Sequence, residues 1–280
     1  MNPAPSSSSP APIIRCGVNR IDGRFKLLKI QKRKAFIAYI TAGDPNLAAT
    51  GRIISALERS GVDLIELGIP FSDPLADGPT IQAASHRALL KKVSLKKIFD
   101  MVSRLRKDIG IPLVFMTYYN PVLKYGIDRF FKSCRTSGVD GVIVPDLPCE
   151  EAGDLISSGR KSAVATIFLA APTSTPKRIS QIQKKSSGFI YYVSLTGVTG
   201  ARARLPDEIA SQVRRIKALT AKPVAVGFGV SNAKQARDIA KDADGVIVGS
   251  AIVKIIGEKK DIVKRVSKFA QTLGKAIHSA

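Results

Sequence analysis

The sequence predicts an α/β fold of one kind, a single (β/α)8 TIM barrel preceded by a short disordered extension. Three observations carry this. Eight short apolar, β-branched runs follow one another from residue 35 onward. They are separated by segments with the apolar spacing of a helix, as in "LAATGRIISALERSG", where Leu47, Ile53, Ile54 and Leu57 fall at helical spacing. The chain also echoes itself: "SGVDLIELGIP", "SGVDGVIVPDLP" and "DADGVIVGSA" each pass from a helix end through a small-residue turn and an acid into a strand. Runs that are apolar throughout suit parallel strands covered on both faces. Repetition of a βα unit eight times makes a barrel, with an open doubly wound sheet as the rival arrangement.

In chain order, residues 1–17 form a Pro/Ser-rich extension whose first twelve residues, "MNPAPSSSSPAP", cannot bury apolar surface, so disorder is expected. A Ser-rich, basic, acid-poor beginning also fits an organelle transit peptide, and import into a plastid is the alternative to a cytoplasmic location. "RIDGRFKLLKIQKRK" then reads as a first amphipathic helix, and residues 18–280 as the catalytic barrel. The eight strands are expected in "AFIAYIT" (35–41), "DLIELGI" (63–69), "PLVFMTYY" (112–119), "GVIVPD" (141–146), "AVATIFLAA" (163–171), "FIYYVS" (189–194), "PVAVGFG" (223–229) and "GVIVGS" (245–250).

Composition narrows the function. No stretch reaches the ~18 apolar residues of a membrane helix. Cys16, Cys134 and Cys149 share no ligand spacing and read as reduced thiols; His86 and His278 lie in no metal motif, so no metal site is expected. The net charge of +22 (44 bases against 22 acids) raises nucleic-acid binding as a rival. The bases, however, fall in helix-like segments such as "SQVRRIKALTAK", with no zinc-finger spacing or aromatic RNA-binding signature. They read as a solvated face, and neither nucleic acid nor membrane is expected as a partner.

Barrel sites lie at the C-terminal ends of the strands, with phosphate often held after strands seven and eight. Here three consecutive turns are rich in glycine: "SLTGVTGARAR" after the sixth strand (Gly197, Gly200), "GFGVSN" after the seventh (Gly227, Gly229) and "GSAIVKII" after the eighth (Gly249, Ser250). Glycine lets backbone N–H groups approach an anion, and the helix start adds positive potential. A phosphate held by backbone donors is the expectation.

The second strand and its loop, "ELGIPFSDPLADGP" (66–79), carry three carboxylates and no base. Glu66 interrupts an apolar run, where desolvation raises a carboxyl's pKa toward neutrality and fits it for acid–base work. Asp77 follows on a loop stiffened by Pro70, Pro74 and Pro79. Two carboxylates in unlike settings can hold different protonation states and take different roles. Asp73 suits a turn cap or an outward contact.

These motifs, in this order, resemble the tryptophan synthase α subunit family over about residues 18–270. "ELGIPFSDPLADGPTIQ" resembles its signature segment, with "YITAGDP", "MTYYNPVLKYGIDRF", "GVIVPDLPCEE", "SLTGVTGARA", "GFGVS" and "GSAIVKII" matching its further loops. The resemblance implies a carbon–carbon lyase that cleaves indole-3-glycerol phosphate to indole and glyceraldehyde 3-phosphate, the last stage of tryptophan biosynthesis. It implies no cofactor in this chain, PLP belonging to a partner β subunit that receives the indole in an α2β2 heterotetramer. By motif match, Glu66 is the general acid/base and Asp77 stabilises the indole N–H. Tyr191 lies beside Glu66, Tyr39 and Phe228 line the indole pocket, Thr199 reaches Asp77 as its loop closes, and Gly200, Gly229, Gly249 and Ser250 hold the phosphate. Leu195 replaces an Arg of some members, which points to Arg202 or Arg204 for loop contacts. The loop 70–75 and segment 118–125 are the expected partner surface. The alternatives are a standalone lyase releasing free indole, another phosphate-binding barrel enzyme, and a basic binding protein.

Overall fold

The computed structural model describes residues 19–193, 206–227 and 229–280. The extension expected to be disordered, residues 1–17, lies outside the described residues.

The expected order of elements is present. Helix α1 (Arg20–Ile30) leads into β1 (Ala35–Thr41), α2 (Leu47–Arg59) and β2 (Leu64–Gly68). Two helices, α3 (Pro79–Leu90) and α4 (Leu95–Leu105), separate β2 from β3 (Leu113–Met116), and two more, α5 (Tyr119–Tyr125) and α6 (Ile127–Ser137), precede β4 (Gly141–Ile143). Then come α7 (Gly153–Lys161), β5 (Ala165–Ile167), β6 (Leu169–Ala170), α8 (Pro176–Lys185) and β7 (Ile190–Val193). The chain finishes with α9 (Pro206–Ala218), β8 (Val224–Gly227), α10 (Ala233–Ala240), β9 (Gly245–Val248), α11 (Ser250–Gly257) and α12 (Ile262–His278). Helix starts follow local chemistry: Asn19, Asn46, Ser94, Thr175 and Asn232 each cap a helix by accepting a backbone N–H.

All pairings are parallel, in the order β5-β4-β3-β2-β1-β9-β8-β7-β6. The single run expected at 163–171 is divided into β5 and β6 at Phe168. Its first half pairs with β4 and its second with β7, so this one stretch of chain closes the barrel. The Phe168 carbonyl still accepts from the Tyr191 N–H at 3.1 Å, while its own N–H turns to Ser186 Oγ at 3.3 Å. Eight βα units therefore yield nine strand segments among the described residues.

Strand parity separates two cores. Phe36, Ala38, Ile40, Ile65, Leu67 and Phe115 face outward and pack under the helices. Ile37, Leu64, Val114, Ile143, Ile167 and Ile247 face inward and fill the barrel. That is why the runs carry no polar alternation: both faces are dry. Helix α1 floors the barrel at the N-terminal ends of the strands. Its Ile21, Phe25 and Leu28 belong to the inner core, and the Phe25 ring lies 5.7 Å from that of Phe189. Gly141 leaves the room this requires, since a Cβ there would sit 2.9 Å from Ile21 Cδ1. No described helix is long and apolar enough to cross a membrane.

The bases have an order too. All twelve described helices carry Lys, Arg or His in the last turn, among them Arg59, Arg135, Lys184 and Lys275, where the helix dipole favours positive charge.

Candidate active site

Above the apolar filling, the inward positions change character. Tyr39 on β1 pairs in register with Glu66 on β2, and Glu66 with Val114 on β3. Tyr191 projects inward from β7. Glu66 is 1 % exposed, and neither of its carboxylate oxygens has a hydrogen-bond partner among the described residues. Burial first, then the nearby charge of Asp77, pushes its pKa up to about 8. A carboxyl in this state is a proton donor near neutrality that becomes a base once it has given the proton up.

Two glycines admit the tyrosines. A Cβ on Gly68 would lie 2.1 Å from the Tyr39 hydroxyl, and one on Gly227 would lie 2.5 Å from that of Tyr191. Gly227, read from the sequence as part of the anion turn, thus makes room for an aromatic ring instead. Tyr191 is raised well above its ordinary range by burial and, next, by Glu66.

Asp77 reaches the same space from the loop after β2. Burial lifts its pKa to about 6, with the Tyr118 hydroxyl pulling the other way. The loop is held at several points. The Asp77 N–H donates to the Pro74 carbonyl at 3.0 Å, and Gln82 Nε2 donates to the Asp77 carbonyl at 2.8 Å. The Ala76 N–H donates to the Tyr118 hydroxyl at 3.0 Å, and the Tyr118 ring stacks on Phe71 at 5.3 Å. Asp73 is not part of the site: it accepts from Ser72 Oγ at 2.6 Å on the exposed side of the loop. Tyr118, the first residue of the segment expected to meet a partner, is buried with its hydroxyl turned back across the mouth, which nothing in its motif shows.

Helix α3 begins directly after Asp77, and its position is set by a buried clamp. Arg87 donates from Nε and Nη2 to the two oxygens of Asp44, at 2.9 and 2.7 Å. Asp44 is 2 % exposed and Arg87 side chain 30 % exposed. Arg87→Leu is expected to cost about 2 kcal/mol, less than the ~3–5 kcal/mol of a fully enclosed pair, because water still reaches the guanidinium. The check is a thermal melt, with a fall of roughly 4–8 °C at this chain length; an unchanged melt would reduce the pair to surface decoration.

The anion turns differ from one another. Asn232 caps α10 by accepting from the Gln235 N–H at 3.0 Å, and the Ser231 N–H is taken by Gln235 Oε1 at 2.9 Å. Helix α11 follows Gly249 with no side-chain cap, and a helix start of this kind suits an anion. Space around Gly229 is open, with nothing within 4 Å of a would-be Cβ. Ala84 of α3 and Val253 of α11 pack on Tyr39, so the acid end and the anion end of the site share one small apolar cluster. Ser250 is the first residue of α11. Thr199, Gly200 and Phe228, with Leu195, Gly197, Arg202 and Arg204, lie outside the described residues. No group of three or more His, Cys, Asp or Glu suited to a metal occurs among the described residues.

Comparison with known proteins follows the same lines. Residues 25–278 match the family profile described as tryptophan synthase alpha chain. The chain is 47 % identical over 262 residues to the tryptophan synthase alpha chain of Geobacter sulfurreducens, covering 93 % of this chain and 99 % of the relative. It is 48 % identical over 247 residues to that of Dehalococcoides mccartyi, covering 88 % and 96 %. Among solved structures, tryptophan synthase subunit alpha from Legionella pneumophila superposes with a TM-score of 0.89 at 38 % identity, covering 93 % of this chain and 99 % of that one. A chain of Mycobacterium tuberculosis tryptophan synthase gives 0.86 at 38 % identity, covering 94 % and 99 %.

Proposed function

This chain belongs to the tryptophan synthase alpha chain family, and from that premise we propose that it cleaves indole-3-glycerol phosphate to indole and glyceraldehyde 3-phosphate. The observation that carries the proposal is the pairing of two carboxyls held apart in pKa, Glu66 at about 8 and Asp77 at about 6, on one wall of a barrel mouth.

The reaction is a retro-aldol cleavage. Glu66, protonated below about pH 8, gives its proton to indole C3, which breaks the ring's aromaticity and leaves positive charge on the nitrogen. Asp77, ionised above about pH 6, accepts a hydrogen bond from the N–H and stabilises that charge. The Glu66 carboxylate then removes the proton from the glycerol hydroxyl. The O–H electrons form the aldehyde carbonyl, and the C–C bonding pair returns to the ring. Tyr39, Tyr191 and Phe228 line the indole pocket. Gly229, Gly249 and Ser250, with Gly200 and Thr199 from the sixth loop, hold and cover the phosphate end. Every step is a proton transfer or electrostatic stabilisation by this chain's own side chains, so we assign it no cofactor.

A β subunit is the partner, and an α2β2 assembly with PLP on the β subunit is the arrangement we propose. The mouth has apolar side chains for such a surface: Leu75 is 91 % exposed and Leu123 is 54 % exposed, in the two segments expected to meet the partner. The deciding experiment is indole release from indole-3-glycerol phosphate with and without a β subunit. Strong activation supports the synthase, and equal rates support the standalone lyase. No release in either case would overturn the reaction itself.

The two carboxyls also set a pH profile. kcat/KM is expected to rise as Asp77 loses its proton near pH 6 and to fall as Glu66 loses its own near pH 8, as apparent values of the pair. A profile flat from pH 5 to 9 would remove both from the proton inventory.

A further inference from the structure

Resting on the assignment of Glu66 as the acid–base group, we propose that Tyr39 is a positioning residue of the same reaction: its phenol donates the hydrogen bond that stabilises Glu66 once the carboxyl has given its proton to the substrate carbon. Between the two proton transfers Glu66 is a buried anion. Neither of its oxygens meets a donor among the described residues, and a buried carboxylate left unpaired is costly. Two buried phenols stand near it, Tyr39 and Tyr191. The Tyr191 hydroxyl lies over Gly227 on β8, whereas Tyr39 is the register partner of Glu66 and its hydroxyl lies over Gly68 on Glu66's own strand.

The placement of that hydroxyl is specific. Tyr39 is 5 % exposed, and its ring leans across to β2 so that the oxygen lies over Gly68, two residues beyond Glu66 in the same inward column. Any side chain at Gly68 would displace it, since a Cβ there falls 2.1 Å from the oxygen. At its base the residue rests on the anion turn, with the Tyr39 Cβ 3.3 Å from where a Cβ on Gly249 would be. The phenol is therefore locked between the acid strand and the phosphate end. Burial and the charge of Asp77 hold its pKa well above the ordinary tyrosine range, so it remains an O–H donor across working pH. The buried Thr41 hydroxyl, two residues on in β1, lies beside the phenol and draws its pKa the other way, so the space around the Tyr39 oxygen is polar. The proton of Tyr39 stays on its oxygen throughout: the one transferred proton leaves Glu66 for carbon and is replaced from the glycerol hydroxyl.

Tyr39→Phe keeps the ring and removes only the oxygen, so the barrel should fold unchanged. The expected result is a fall in kcat of about 10–150-fold, the range for a hydrogen bond to a charged group, with KM within about twofold. The alkaline limb of kcat/KM should move to higher pH, because losing a donor to the ionised form raises a carboxyl's pKa. Independently of turnover, a carbon-13 NMR titration of the Glu66 carboxyl should show its midpoint raised by about one unit or more in the variant. Unchanged kcat with an unchanged titration would overturn the proposal, and so would a rise in KM alone, which would make Tyr39 a wall of the pocket. Should the parent protein release no indole, the reaction assignment fails, and the carboxyl titration still decides for or against Tyr39.

Discussion

Glu66→Gln is expected to lower kcat for indole release by at least about 10²–10⁴-fold and to raise the melting temperature of the same protein. The amide keeps the shape but exchanges no proton, and both proton steps pass through this group. The gain in stability comes from the same burial. Native Glu66 titrates at about 8 and the unfolded residue at 4.5. Between those values the native state holds a proton that the unfolded chain has released. Stability of the parent protein therefore declines as pH rises through that window. Glutamine has no proton to lose, so its advantage is absent at low pH, grows from about 4.5 and is complete above about 8. An increase of several degrees at pH 8, on the order of 2 kcal/mol, is the expected size. Steady-state kinetics and melts at pH 5, 7 and 9 are the measurements. Activity within tenfold of the parent would place the acid elsewhere, and a melting difference independent of pH would show that burial does not strain the carboxyl.

Asp77→Asn should act on rate by a different route. Its task is to face a growing positive charge, so the carbonyl oxygen of an amide replaces it poorly. A hydrogen bond to a charged group is worth about 1.5–3 kcal/mol, or roughly 10–150-fold in rate, and more where water is excluded. The loss should fall on kcat rather than KM, because the charge belongs to the transition state. The acid limb of the pH profile near 6, which belongs to Asp77, should vanish with it. A variant that altered only KM would make Asp77 a loop-shaping residue and leave Glu66 as the sole acting carboxyl.

The parts of this protein that were legible in its sequence are those in which local chemistry and tertiary role coincide. The apolar runs announced buried parallel strands because both of their faces are dry, and Glu66 stood out because it breaks one of those runs. Asp77 was legible through the prolines around it. The break at Phe168 was not, since it does not interrupt the apolar pattern and shows only in which neighbour each half pairs with. Tyr118 and the Arg87–Asp44 clamp were hidden for a related reason: each joins positions more than forty residues apart, and no local spacing encodes such a meeting. The roles of Gly68 and Gly227 could be read only once the tyrosine opposite each was in place.

The α1 floor makes the barrel a vessel with one door. With Ile21, Phe25 and Leu28 filling its base, the inner core is continuous from the helix up to the layer of Tyr191, beside Glu66. Whatever reaches the carboxyl arrives at the mouth and departs by it. Traffic is therefore ordered by geometry: the aldehyde and the indole leave past the same rim, and a partner seated there decides which of them meets solvent. Removal of the helix would do more than loosen the fold. It would uncover the apolar layer of Ile37, Leu64 and Val114 from below, the layer that keeps the space under Glu66 dry.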